Sequence, residues 1–250
     1  MREERVLFMD RNKRLGIIYL VFYGLMILVN YWVGQDVGAV ADQNEALIQP
    51  AGYVFSIWGL IYILLFIWII RLFFTQYHGV YERIHYWLVG NFLLNMLWII
   101  VFTQEWLLAS NIVIVALLIV TIVIYKKLVK VEAHWFDRFP FSIYMAWLSV
   151  ATIVNIASWF VGNGITEFLG LDEYVWTLIL LIVATVLAIV IALKHNDWVY
   201  PLVFAWSFVG IIVNAGDHLF LLIVFSSMGI VFQVIASIAA AVRKSRERAY

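Results

Sequence analysis

The chain has 250 residues, 65% of them hydrophobic and 13% charged, and its 16 basic residues balance its 16 acidic residues. Soluble globular proteins carry charge on about a quarter of their residues, so this composition excludes that class and predicts an integral membrane protein. The zero net charge gives no sign of a nucleic-acid partner, and the absence of cysteine excludes disulfides, thiolate metal sites and a thiol nucleophile.

Eight apolar segments follow one another along the chain, and about 20 apolar residues are needed to cross a bilayer. The first segment follows a basic N-terminal stretch without a clear small-residue cleavage site, so we interpret it as a retained span and not as a signal peptide. The segments cover residues 15–34, 51–71, 86–104, 108–125, 139–161, 174–193, 198–214 and 219–241. The predicted fold is therefore an all-α integral membrane protein with eight spans.

The basic residues all lie at the same end of the predicted spans. Of the 16 Lys and Arg residues, 15 lie before the first segment, in the connections after the second, fourth and sixth segments, or after the eighth, and Arg71 ends the second segment on the same side. In the other connections every charged residue is acidic. The positive-inside rule then predicts that both termini are cytoplasmic, and we expect a multi-pass protein of a bacterial plasma membrane.

The 12 tryptophans form two groups along this topology. An aromatic belt at the two membrane interfaces explains those near segment ends, which are Trp32, Trp87, Trp106, Trp135, Trp176 and Trp198. The others lie inside segments, at Trp58, Trp98, Trp147, Trp159 and Trp206, or close to an inner end, at Trp68.

Three segments combine aromatic and amide side chains at helical spacing. No Asp, Glu, Lys or Arg lies deep in a segment, which argues against an ion-coupled pump, and the polar groups there are amides and hydroxyls. At about 1.5 Å per residue, the aromatic and amide stripes reach a common level in the outer half of the bilayer. They predict an aromatic pocket lined by Phe55, Trp58, Tyr62, Asn91, Asn95, Trp98, Tyr144, Trp147, Ala151 and Asn155. A packed aromatic core without a cavity, with the amides forming interhelical hydrogen bonds, is the alternative.

Three motifs carry a family resemblance. They are PAGYVFSIWGLIY at residues 50–62, NFLLNMLWIIVF at residues 91–102 and YMAWLSVATIVN at residues 144–155. In order and spacing they resemble the second-, third- and fifth-helix patterns of the TspO/MBR family, the tryptophan-rich sensory proteins related to the mitochondrial translocator protein. The resemblance implies a five-helix bundle over residues 1–161 and makes residues 162–250, with three further spans, a C-terminal extension.

The resemblance also implies a ligand site near one membrane face, since family members bind porphyrins, sterols and synthetic aromatic ligands there. Trp58 and Asn95 match positions that contact polar atoms of the ligand, and Trp98, Trp147, Ala151 and Asn155 match wall positions. The connection 35–50 would be the lid over this site. The three additional spans would line the pocket with Trp206, replace a dimer partner, or form an unrelated module.

These observations favour a membrane receptor or carrier for a planar hydrophobic ligand, either tetrapyrrole-like or sterol-like. We expect no covalent cofactor, only a bound porphyrin or haem-type ligand, with membrane lipid as the other partner and a homodimer left open. A facilitator for a small apolar or zwitterionic solute, not coupled to ions, is the alternative. Light- or redox-dependent degradation of a bound pigment is a third hypothesis, although the sequence contains no convincing catalytic residues and no metal-ligand spacing.

Overall fold

The computed structural model describes residues 2–75, 79–131, 134–216 and 219–247, and α-helices account for most of them. In chain order these are α1 (Arg2–Val33), α2 (Val37–Gln43), α3 (Ile57–Arg71), α4 (Gly79–Ile84), α5 (Trp87–Thr103), α6 (Leu107–Val129), α7 (Trp135–Gly162), α8 (Glu173–His195), α9 (Tyr200–Ala215) and α10 (Phe220–Glu247). Two 3-10 turns, Gly34–Asp36 and Gly52–Ser56, precede α2 and α3. An antiparallel hairpin of two-residue strands, β1 (Glu167–Phe168) and β2 (Leu171–Asp172), joins α7 to α8.

Each of the eight predicted apolar segments lies in a helix, so the prediction of an all-α membrane protein is confirmed. Within the described residues, six stretches are long and apolar enough to cross a membrane. The helices α5 and α9 are apolar but shorter, with 17 and 16 residues. At about 1.5 Å per residue each measures about 25 Å, somewhat less than the ~30 Å hydrocarbon core. The number of membrane crossings and the cytoplasmic termini stay predictions.

Local signals in the sequence set the ends of the C-terminal helices. Asp172 caps α8 by accepting a hydrogen bond from Val175 N at 2.9 Å, and Asn196 ends the helix in the left-handed conformation. Asp197 then accepts from the backbone N–H groups of Val199 and Tyr200 at 3.1 and 3.3 Å, which starts α9. These short caps turn the chain back on itself and allow α8, α9 and α10 to pack together.

The described chain forms two compact units. Unit 1 comprises Met1–Val37 and Trp58–Tyr144, and within it α5 packs against α1 and α6. Its core contains large side chains that are wholly buried, including Tyr19, Trp68 and Phe92. The predicted boundary after residue 161 was drawn from the resemblance and stays a prediction.

Unit 2 comprises Gly38–Ile57 and Met145–Tyr250, and within it α8, α9 and α10 pack pairwise. Small residues bring these helices close, since a Cβ added at Gly229 of α10 would lie 2.5 Å from the ring of Phe208 of α9. Alanines Ala192, Ala236 and Ala240 form a buried cluster at another contact. Small residues at helix contacts are the usual means of close packing inside a membrane.

A polar cluster in unit 1 ties the end of α3 to the start of α7. Arg71 pairs with the fully buried carboxylate of Asp137 at 2.5 Å, and the other carboxylate oxygen accepts from His134 N at 2.8 Å. The indole of Trp68 donates to the carbonyl of Asp137 at 3.1 Å, and the hydroxyl of Tyr81 donates to the carbonyl of Trp68 at 3.1 Å. Burial raises the pKa of Tyr81, so the phenol remains a donor at neutral pH.

Candidate ligand-binding site

A row of aromatic rings lies in unit 1 on α3, α5 and the first part of α7. The indole of Trp58 stacks on Tyr62 and Trp98 at centroid distances of 5.6 and 5.8 Å, and it meets Tyr144 edge to face at 5.9 Å. Trp98 stacks in turn on Phe102 at 5.4 Å. Trp58 with Tyr62 and Trp98 with Phe102 are each four residues apart, the spacing that places side chains on one helix face. We call these five residues the aromatic row.

A hydrogen-bond network links two members of the aromatic row through buried amides. The hydroxyl of Tyr62 donates to Asn30 Oδ1 at 2.8 Å, and Asn30 Nδ2 donates to Asn95 Oδ1 at 2.9 Å. Asn95 Nδ2 donates to the hydroxyl of Tyr144 at 3.1 Å. Asn95 and Tyr144 are fully buried, so their polar groups need these partners to offset the loss of water. The network therefore holds the side chains of Tyr62 and Tyr144, two members of the aromatic row, in place.

Asn30 is a member that the sequence analysis missed. It lies in α1, within the predicted first span, and its second Nδ2 hydrogen bond goes to Met26 O at 2.8 Å. An amide inside an apolar span was the available signal, because such a group usually bonds to a neighbouring helix. Helical spacing along α1 gives no signal for Asn30, because its side-chain partners Tyr62 and Asn95 lie on α3 and α5.

Asn91, also predicted as a site residue, has a packing role in the structure. It is fully buried and donates from Nδ2 to Thr121 Oγ1 of α6 at 2.7 Å. Thr121 donates onward to Leu117 O at 2.7 Å. This bond joins α5 to α6, which matches the alternative interpretation of the amides as interhelical hydrogen bonds.

Four of the predicted site residues belong to unit 2. Phe55 meets Trp147 edge to face, with centroids 5.7 Å apart and ring planes at 90°. Trp147 and Asn155 are buried, and Ala151 is half-buried. The other six, Trp58, Tyr62, Asn91, Asn95, Trp98 and Tyr144, lie in unit 1. Within unit 1 the structure brings five of the predicted contacts into the aromatic row and its amide network, and within unit 2 it pairs Phe55 with Trp147.

The segment 38–57 contains most of the predicted lid, and it is not an open loop. It begins in α2 and buries Ala46, Ile48 and Gln49. Leu47 N donates to the carboxylate of Glu173 at 2.7 Å, which attaches the segment to the start of α8. We call this segment the outer segment.

Helix α9 provides the main docking face for the outer segment. Ala51 N donates to Gly210 O at 3.0 Å, and the indole of Trp206 donates to Val54 O at 3.3 Å. Asn214 Nδ2 donates to Glu45 Oε1 at 2.7 Å and to Gln49 O at 3.1 Å. The glycine is required, because a Cβ at Gly210 would lie 2.2 Å from Cγ2 of Val54. Helix α9, which belongs to the predicted C-terminal extension, thus holds the outer segment. This role is not among those predicted for the extension.

The chemistry available in the aromatic row is that of recognition. Ring faces and edges can bind a flat apolar molecule, and tyrosine hydroxyls and amides can orient its polar atoms. Within residues 2–75, 79–131, 134–216 and 219–247, no group of three or more His, Asp or Glu side chains could hold a metal ion.

A family model described as TSPO-like protein matches residues 16–240, which includes residues of all eight apolar helices. No curated protein and no solved structure matches the chain.

Proposed function

The chain belongs to the TSPO-like family, and from this premise we propose that it is a membrane-embedded receptor or carrier for a planar hydrophobic ligand, with a porphyrin or a sterol as the leading class. The aromatic row is the observation that carries the proposal. Its rings stack at 5.4 to 5.8 Å on two different helices, so they present π faces suited to a flat molecule.

In this proposal Trp58 and Asn95 contact the ligand. Trp58 is half-buried and touches Tyr62, Trp98 and Tyr144, so it occupies the centre of the aromatic row. An amide side chain can make four hydrogen bonds, and Asn95 makes two, to Asn30 and to Tyr144. The remaining capacity of Asn95 is what a carbonyl or carboxyl group of the ligand would use.

Helix α9 controls the outer segment. Its bonds to Gly210, Trp206 and Asn214 all come from one helix, so a small displacement of α9 would act on the whole segment. In TspO/MBR proteins the corresponding loop covers the ligand, and by this resemblance we propose a lid role for the outer segment.

Porphyrin titration of the purified protein tests the proposal. We expect saturable quenching of tryptophan fluorescence by protoporphyrin IX, and a roughly tenfold higher Kd for Trp58→Ala, because an aromatic contact contributes about 1 to 1.5 kcal/mol. Trp106→Ala is the matched control, since it removes an indole that is 63% exposed. Its Kd should stay within about twofold of the unmodified protein, as expected for a surface substitution.

Two outcomes would contradict the proposal. One is a failure of the unmodified protein to bind protoporphyrin IX or a fluorescent sterol saturably. The other is an equal loss of affinity in Trp58→Ala and Trp106→Ala, which would place the ligand on the membrane surface of the protein. Flux of a small solute into proteoliposomes, without saturable porphyrin binding, would favour the facilitator instead.

A further inference from the structure

A cavity lies in unit 2, between the end of α7, the β1–β2 hairpin and the first turns of α8. Its volume is about 170 Å³, and apolar side chains line it, among them Ile156, Ala157, Phe160 and Leu180. It shares no residue with the ten predicted ligand contacts. An apolar cavity of about 150 Å³ stays dry and binds benzene, so this cavity has room for one aromatic ring.

The walls of this cavity are themselves suited to an aromatic ring. Phe168 of the hairpin meets Phe160 edge to face at 5.1 Å, and its ring lies 5.9 Å from that of Trp176. The indole of Trp176 donates to Phe168 O at 2.8 Å, which holds the hairpin on α8. Ring edges and faces on one wall favour an aromatic occupant over a saturated chain, because aromatic pairs gain a specific edge-to-face attraction.

A polar hollow adjoins the cavity and carries acidic side chains. It has a volume of about 310 Å³ and is lined by Thr166, Asp172 and Glu173, of which Thr166 and Glu173 also line the apolar cavity. Glu167 is a further carboxylate at the cavity, and the residues described around both hollows include no lysine or arginine. Asp172 and Glu173 stand at the N-terminus of α8, where the helix dipole stabilises their negative charge.

The hairpin wall is held in an unusual turn. Leu169 and Gly170 both have positive φ, at 54° and 76°, and the leucine is 77% exposed. Hairpin turns of this kind normally use Asn or Asp with Gly, because a leucine is strained in the left-handed region. With only two residue pairs in its strands, the hairpin is held by few backbone hydrogen bonds.

We propose that this cavity binds a small arylalkylamine, with the aromatic ring among Phe160, Phe168 and Trp176 and the ammonium group at Glu173 and Asp172. The carboxylate of Glu173 already accepts from Leu47 N through Oε1, and its remaining lone pairs serve the ammonium. This site does not depend on the proposed function of the aromatic row.

Photolabelling with a benzylamine that carries a trifluoromethyl-diazirine group tests the proposal. On the detergent-purified full chain we expect saturable labelling of the peptide 156–180, mapped by mass spectrometry. Benzylamine should compete at a concentration about three- to fivefold lower than benzyl alcohol, the preference that one partly exposed ion pair gives, and benzoate should not compete. Glu173→Gln keeps an acceptor for Leu47 N but removes one of the two carboxylate charges, so it should reduce the preference for benzylamine over benzyl alcohol.

Filling the cavity provides the steric test. Ala157→Phe should reduce labelling of this peptide about tenfold or more, because the added ring takes the space of the ligand. Val183→Phe on α8 adds a similar bulk at a side chain that is 52% exposed, and its labelling should stay within about twofold of the unmodified protein. If Ala157→Phe does not fold, as judged by its elution profile, Leu180→Phe fills the same cavity.

Three results would overturn the proposal. Labelling that persists in both cavity-filling variants would place the probe elsewhere. Equal competition by benzoate and benzylamine would remove the role of the carboxylates. Competition by a short-chain phosphatidylcholine but not by benzylamine would identify a lipid chain as the occupant.

Discussion

Gly210→Ala is expected to release the outer segment from α9. The new Cβ would lie 2.2 Å from Cγ2 of Val54, which is wholly buried, and 2.9 Å from Cβ of Pro50, so the segment has to move away from the helix. Movement also lengthens the 3.0 Å hydrogen bond from Ala51 N to Gly210 O. Overpacking of this kind costs about 1 to 3 kcal/mol. We therefore expect the population in which the segment is open to rise between about fivefold and a hundredfold.

A single introduced cysteine can measure this opening, because the chain has no cysteine of its own. Ala46 is 1% exposed, so Ala46→Cys should react slowly with a water-soluble maleimide, and Gly210→Ala should raise that rate by the same five- to hundredfold. Adding Val54→Ala removes the closest clashing atom and should bring the rate most of the way back.

Gly24→Ala is the matched control for the glycine substitution. A Cβ there meets nothing within 4 Å, so this helical glycine should accept alanine with unchanged maleimide labelling and a small gain in stability, of up to about 1 kcal/mol. An unchanged labelling rate in Gly210→Ala would show that α9 does not hold the outer segment closed. A faster rate that Val54→Ala fails to reverse would locate the disturbance inside α9.

The helices could be predicted from the sequence because the membrane imposes strong rules on it. Backbone groups in lipid must bond within their own segment, so long apolar runs become helices whatever their neighbours are. The exposure of most tryptophans also agrees with the positions predicted for them. Trp32 and Trp106, assigned to the interfaces, are 77% and 63% exposed, whereas Trp98 and Trp147, assigned to span interiors, are buried. Trp206 departs from this pattern, since it is 38% exposed although it was assigned to a span interior.

Only those parts of the candidate site that depend on spacing along a single helix could be predicted from the sequence. Spacing places Trp58 with Tyr62 and Trp98 with Phe102, and the structure stacks both pairs. It does not reveal that Asn30 completes the amide network, because its partners Tyr62 and Asn95 are 32 and 65 residues away. Contacts between distant segments depend on how helices pack, and a single sequence carries no periodic signal for them.

The outer segment is the clearest case of such a limit. Its composition, with Gly, Asp and Asn residues, is that of a solvated loop, and the sequence analysis therefore treated residues 35–50 as a connection. In the structure it contains a helix and buries Ala46, Ile48 and Gln49. Its partners Glu173 and Asn214 lie 126 and 169 residues from the atoms that they bind, so only the folded chain reveals the attachment.

Arg71→Met is expected to destabilise unit 1 by about 3 kcal/mol, because it removes the guanidinium that pairs with the fully buried carboxylate of Asp137. Losing one member of a buried ion pair costs about 3 to 5 kcal/mol. We expect the lower end of that range, since Arg71 is 28% exposed and Asp137 keeps its hydrogen bond from His134 N. The cluster also positions Trp68, whose indole donates to the carbonyl of Asp137. The free energy of unfolding in mixed detergent micelles is the quantity to measure.

A double variant separates loss of the pair from loss of packing. Arg71→Met with Asp137→Leu removes both charges, and because apolar replacement of a buried pair is often nearly neutral, it should recover most of the ~3 kcal/mol. Arg83→Met is the matched control, since Arg83 is exposed on the neighbouring helix α4 and its loss should change the unfolding free energy by less than about 0.5 kcal/mol. Equal losses in Arg71→Met and Arg83→Met would mean that the number of positive charges near the membrane matters, and not the ion pair. A double variant no more stable than Arg71→Met would instead assign the stabilisation to the aliphatic stem of Arg71, which would make the cluster a packing contact and not an electrostatic one.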